Sequence, residues 1–222
     1  MVIYRNRKLE EEINSCKSCS RIDLRKQKIT DLDMEFIIQE AVINKQCTML
    51  WFSDNQLTSQ SVSILASTLH NNTTLEGLSL CHNGINDVNI SHLSQILSDS
   101  KTKLNRLALT SNEITDEGVQ YLAEMLKTNH SLTQLWLGSN QITDRGMQYL
   151  ADVLAHRNRT LHVLSLTWNK LITDLSVDSI INMLEYNQTL RTVCLSNCDL
   201  SDIGKERLRE AIKLRKEFYL DL

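Results

Sequence analysis

Six cysteines and six histidines are the side chains here that could carry chemistry. Cys16-x-x-Cys19 has the spacing of a zinc or thiol–disulfide pair, and Cys194-x-x-x-Cys198 comes close to it. The two pairs fall in the first and seventh copies of an internal repeat. Six strand steps of about 4.8 Å then hold them roughly 29 Å apart, too far to share one metal ion. Cys19 and Cys47 stand at apolar positions of that repeat and Cys198 at its closing polar position, so only Cys81 and Cys194 are expected to face solvent. We read the thiols as structural, with no metal and no cofactor. His70, His82, His92, His130, His156 and His162 have no motif around them; His82 and His162 are expected on the open strand face. The chain holds no Gly-x-x-x-x-Gly-Lys phosphate loop, Gly-x-Ser-x-Gly elbow, His-Glu-x-x-His pair or dinucleotide fingerprint. No catalytic set is expected, and the chain is read as a non-enzyme.

The three tryptophans carry more. Trp51 and Trp136 lie between the apolar teeth of a short strand, and Trp168 just before Asn169, the closing residue of its copy. Side chains there are expected to point away from the core. Indoles facing solvent along a sheet mark an interface more often than they stabilise a fold. Asp54, His82, Arg106 and Arg191 are expected around them. The competing reading is that each indole merely covers its neighbours.

The elements that must position these residues are repeats. Leu104-x-x-Leu107-x-Leu109-x-x-Asn112-x-Ile114 recurs as Leu132-x-x-Leu135-x-Leu137-x-x-Asn140-x-Ile142. Across the chain the closing residues are Gln27, Asn55, Asn83, Asn112, Asn140, Asn169 and Cys198, spaced 28, 28, 29, 28, 29 and 29. So regular a period means stacked copies, not one centred globule. Leu107 and Leu109 are two apart, the period of a strand, so both point inward. One such strand cannot bury its face alone; parallel stacking builds a common core. The closing amide offers two donors and an acceptor to turn backbone that lacks partners.

A one-faced helix follows each comb, as in Asp116-x-Gly118-Val119-x-x-Leu122-Ala123-x-x-Leu126. Thr115, Thr143, Thr173 and Ser201 supply N-cap types. Asn44, Asn72, Asn129, Asn158 and Asn187 end the helices, where asparagine tolerates a left-handed C-terminal cap. Four of the six Asn-x-Ser/Thr sequons fall at this one offset, so the repeat itself generates them. Helices are wider than strands, so the stack must bend with its strands on the concave side. The fold class expected is an α/β solenoid of about seven repeats.

The comb, the period and the full helix per copy resemble leucine-rich repeats of the ribonuclease-inhibitor-like class, over about Cys19 to Ile212. The Thr-Asp-x-Gly and Asn-x-Thr-Leu wording is most similar to repeats of nucleotide-binding leucine-rich-repeat innate immune receptors. That resemblance implies a horseshoe that binds a protein or peptide, in a setting of innate sensing or signalling. The same class includes regulators of a small GTPase and of actin filaments, which is the alternative.

Residues 1–18 are expected to form an N-terminal cap, 19–200 the array, and 201–222 a charged capping helix and tail. Phe218, Tyr219, Leu220 and Leu222 are expected to fold back on the last layer. A net charge of −3 argues against general nucleic-acid or anionic-membrane binding. Residues 1–12 lack the apolar run of a secretory signal. The chain is therefore expected to be cytoplasmic and monomeric. The Met1 start and charged ends favour a self-standing array over a fragment.

Overall fold

A computed structural model describes residues 6–98 and 101–222; residues 1–5 of the expected cap lie outside them. Eight three-residue strands form one all-parallel sheet in chain order. They are β1 (Arg21–Asp23), β2 (Met49–Trp51), β3 (Gly77–Ser79), β4 (Arg106–Ala108), β5 (Gln134–Trp136), β6 (Val163–Ser165), β7 (Thr192–Cys194) and β8 (Tyr219–Asp221). The middle residues stand in register: Ile22, Leu50, Leu78, Leu107, Leu135, Leu164, Val193 and Leu220. The first seven are at most 2 % exposed. They form the floor of one continuous core that runs the length of the stack.

Helices cover the other side of that core: α1 (Arg7–Ser15), α2 (Asp31–Ile37), α3 (Ser59–Leu69), α4 (Asp87–Ser98), α5 (Asp116–Thr128), α6 (Asp144–His156), α7 (Val177–Tyr186) and α8 (Asp202–Ile212). The helix α2 continues as a π-helical stretch, Ile38–Asn44, and a 3-10 turn, Asp174–Ser176, precedes α7. At the N-terminal end, Leu9 and Ile13 of α1 cover the first layer. The solenoid expected from the period is the fold observed. No helix among the described residues is long and apolar enough to cross a membrane.

Two expectations at the ends change. The C-terminal tail adds β8 in parallel to β7, extending the sheet. Phe218, Leu220 and Leu222 pack on the core, but Tyr219 faces outward. Arg215 fixes this segment by donating to Leu184 O and Leu190 O while stacking on Phe218. Cys19 is exposed, not inward. Its backbone turns through φ 57°, which takes the residue out of the comb.

The asparagine side chains join neighbouring repeats. Asn55 Oδ1 accepts from the Gln27 and Ile29 N–H groups, and Asn55 Nδ2 donates to Leu24 O and Phe52 O. Asn112 and Asn169 repeat all four kinds of bond two and four copies further on. Asn140 keeps three of them; Asn83 keeps two and donates to Cys81 O as well. Gln27, at the start, takes part through its backbone N–H. Cys198, at the end, has its Sγ donate to Leu166 O.

A second asparagine row runs along the other rim. Asn129, Asn158 and Asn187 are buried and donate to Leu97 O, Leu126 O and Leu154 O of the preceding helix. Their Oδ1 atoms accept from the first N–H groups of their own comb. The left-handed cap expected there is not what the backbone adopts: Asn129 and Asn187 are extended, at φ −75° and −90°. The amide itself turns the chain, so the special φ is unnecessary. Sequon asparagines 89, 129, 158 and 187 are all buried.

The Thr-Asp-x-Gly wording has the same logic. Thr115, Thr143 and Thr173 cap their own helices. The aspartate after each cap reaches forward to the next repeat. Asp87 accepts from Thr115 N, Thr115 Oγ1 and Gly118 N; Asp116 does so from Thr143 and Gly146. A Cβ at Gly118 or Gly146 would overlap that carboxylate. Where Asp31 does this work, the partners are Thr58 and Ser61; where Asp174 does, the partner is Ser201.

Asn169→Ala removes four bonds from a fully buried site. It is expected to lower stability by about 3 kcal/mol, read from urea unfolding at unchanged m. The aspartate relay sets a pH dependence. Burial pushes the Asp31 carboxyl up, but bonds from Ser61 and Thr58 outweigh it and leave the pKa lowered; Ser201 lowers that of Asp174. A lowered folded pKa gives stability that is complete above the unfolded value of about 4 and is lost as pH falls through the folded one. The urea midpoint is expected to drop as pH falls below the unfolded carboxylate value of about 4, and to drop less in an Asp31→Asn, Asp174→Asn double variant.

Candidate binding trough on the strand face

The outward row of the sheet runs, in register, Asp23, Trp51, Ser79, Ala108, Trp136, Ser165, Cys194 and Asp221. Trp51 and Trp136 thus stand in one line, three strands and roughly 14 Å apart. Between them come only Ser79 and Ala108, with Gly77 beside Ser79. Tall indoles flanking a low floor make an open trough of about 310 Å³, lined by Met49, Trp51, Gly77, Ser79, Arg106 and Trp136 among others. Both indoles are partly exposed. A Cβ at Gly77 would meet Met49 Sδ at 2.5 Å, so the present course of the Met49 side chain depends on the glycine. Met49 lies across the glycine toward Arg106, whose Nη1 is 3.8 Å from the sulfur.

Guanidinium groups hold one wall. Arg21 lies 4.4 Å and Arg25 4.9 Å from the centroid of Trp51. Arg25 is paired with Asp23; a hydrogen bond from that guanidinium holds the Asp23 carboxyl below its usual range and raises Arg25. Arg106 is exposed and makes no ion pair among the described residues.

The other residues expected beside the tryptophans lie elsewhere. Asp54, His82 and Trp168 are not on the strand face but in the turns after it, all in left-handed backbone at φ 59°, 54° and 64°. Lys26, Ser111, Ser139 and Asn197 occupy the same turn position with the same sign of φ. Trp168 is 55 % exposed and stacks on Lys170, 5.0 Å away. In the sheet, the neighbour of Trp136 is Ser165, not Trp168. Arg191 sits on the opposite rim, 3.7 Å from Glu217. Of the residues singled out from sequence, the fold therefore unites Trp51, Trp136 and Arg106. Met49, Gly77, Ser79 and Ala108 went unnoticed, although small residues at consecutive outward positions between two tryptophans are a readable signal.

Among the described residues, no three His, Cys, Asp or Glu gather as a metal site. Burial pushes the thiols up, Cys47 to about 12 and Cys198 to about 11, and raises Cys194. These thiols stay protonated at neutral pH, the opposite of nucleophile activation.

The parallel sheet, the helix per copy and the asparagine rows define a leucine-rich-repeat protein. Residues 100–123, 128–151, 157–180 and 186–206 match the Leucine Rich repeat family. The chain is 32% identical to NACHT, LRR and PYD domains-containing protein 3 of Bos taurus over 209 residues, which is 89% of this chain and 20% of that protein. It is 30% identical to the same protein of Rattus norvegicus (90% and 19%) and 31% identical to NACHT, LRR and PYD domains-containing protein 9 of Bos taurus (85% and 19%). The chain spans about a fifth of the length of these relatives. Its fold is similar to the tropomodulin C-terminal domain of Caenorhabditis elegans (TM-score 0.57, 20% identity, 68% of this chain and 91% of that one). It is also similar to Leiomodin-1 Actin-Binding Site 2 (TM-score 0.50, 22% identity, 58% and 73%).

A left-handed φ is costly for a bulky side chain, and most of the other residues in the Trp168 row are small or polar. Trp168→Asn is therefore expected to raise stability by up to about 1 kcal/mol in urea unfolding, even though it deletes an indole.

Proposed function

We propose that this chain is a non-enzymatic interaction module that holds a protein or peptide on its concave strand face. The trough between Trp51 and Trp136 carries the reading. Two indoles left partly in water over a floor of Gly77, Ser79 and Ala108 present apolar area that the fold itself does not use. Such anchors, ringed by charge, supply most of the binding energy at protein interfaces. Asp54, His82 and Trp168, in line on the adjoining rim, extend the contact, and Arg191 marks its far side. The asparagine rows keep the backbone fixed beneath.

Similarity to the NACHT, LRR and PYD domains-containing proteins supports a setting in innate sensing, inside the cell. We assign residues 19–200 to the array, with caps at 1–18 and 201–222, and a monomeric state. The alternative of actin regulation rests on likeness of fold to tropomodulin and leiomodin; nothing in the trough favours it, and actin co-sedimentation tests it directly.

Trp51→Ala and Trp136→Ala are each expected to weaken binding of a partner captured by the wild-type protein by about 2 kcal/mol, roughly 30-fold. The unfolding midpoint should stay within about 0.5 kcal/mol of wild type, because neither indole belongs to the core. Titration calorimetry on both variants decides it; wild-type affinity in both removes the trough from the interface.

A further inference from the structure

The residues around the trough also define what it would accept. Its lining contains one cation, Arg106, and no carboxylate. The nearest acid of the same row, Asp23, is already engaged by Arg25, with Arg21 lowering it further. Arg21 and Arg25 spread their remaining charge over Trp51. Arg106 has no such commitment: its guanidinium touches only the thioether of Met49, at 3.8 Å, among the described residues. A chain with a formal charge of −3 thus presents a cationic, aromatic hollow at the middle of its strand face.

Size narrows the choice. About 310 Å³ is at the low end for a ligand pocket, and the trough is open along the sheet. It has room for a side chain, not for a folded surface. Met49 is the adaptable part. Its side chain covers Gly77, and an unbranched thioether can swing aside as another apolar group arrives. That movement uncovers the floor and releases Arg106 together.

On the basis of the concave-face reading above, we propose that the trough takes an acidic–apolar motif of an extended peptide. One Leu, Met or aromatic side chain sits between Trp51 and Trp136 over Gly77, Ser79 and Ala108. An Asp or Glu within two residues of it meets Arg106 through a bidentate ion pair. The indoles give the affinity, and the Arg106 guanidinium selects the acid.

A displayed library of random linear dodecapeptides, selected on the 222-residue protein, tests this. Enriched sequences are expected to pair a bulky apolar residue with Asp or Glu within two positions. In a synthetic representative, changing that acid to its amide should weaken binding at least 10-fold. Arg106→Gln should do the same, and combining the two changes should cost little more than either alone. Arg106 is exposed, so the variant's melting temperature checks that the fold is intact. Binders that are lost in Trp136→Ala yet indifferent to the acid and to Arg106 overturn this motif and leave the concave-face reading standing. Binders unaffected by Trp51→Ala and Trp136→Ala, or no enrichment over that double variant, overturn the trough itself.

Discussion

The rest of the structure depends on a buried carboxamide reaching across the gap between two repeats. Wherever a strand ends, the chain turns through the core and leaves N–H and C=O groups that no ladder can satisfy. Asn55, Asn83, Asn112, Asn140 and Asn169 supply both kinds of partner at once, to their own turn and to the one before. A buried turn left without them would lose several hydrogen bonds at once, a penalty comparable to a large part of a domain's stability. Leucine burial makes the stack compact; the amides fix how far each copy is rotated and shifted against the next.

Two further rows act in parallel. Asn129, Asn158 and Asn187 tie each comb to the helix one repeat back, and the aspartates at 31, 87, 116, 144 and 174 tie each helix to the cap of the next. All three rows join neighbours only, so stability is a sum of local interfaces. With the backbone held at the strand ends and on the helix side, the outward strand positions carry little structural duty. Trp51 and Trp136 take no part in these rows.

Much of this fold is legible in the sequence because its two periods, 2 along a strand and about 28.5 between copies, are properties of spacing alone. The inward rows and the closing amides follow from that spacing. Four features do not. The asparagines at 129 and 187 suggest a left-handed cap by residue type, but their role is set by a carbonyl one repeat away, which a local reading cannot see. Cys19 fits the apolar pattern yet is exposed, because a pattern of residue types does not register its left-handed backbone. β8 has no comb before it and is defined by its pairing with β7. The trough is half legible: Trp51, Trp136 and Arg106 stand out, whereas Trp168 leaves the sheet because the chain turns at Thr167 and Trp168, just past the end of β6.

The asparagine row also has a direction. Asn55 completes the turn that holds Ile29, Asn112 the one that holds Ile85, and Asn169 the one that holds Ile142. Each turn waits for a side chain encoded some 27 residues later. On a ribosome, where the N-terminal end emerges first, no copy can close until its successor has cleared the exit tunnel. Consolidation must trail synthesis by one repeat, and the most recently made segment is always the one a chaperone or protease finds open.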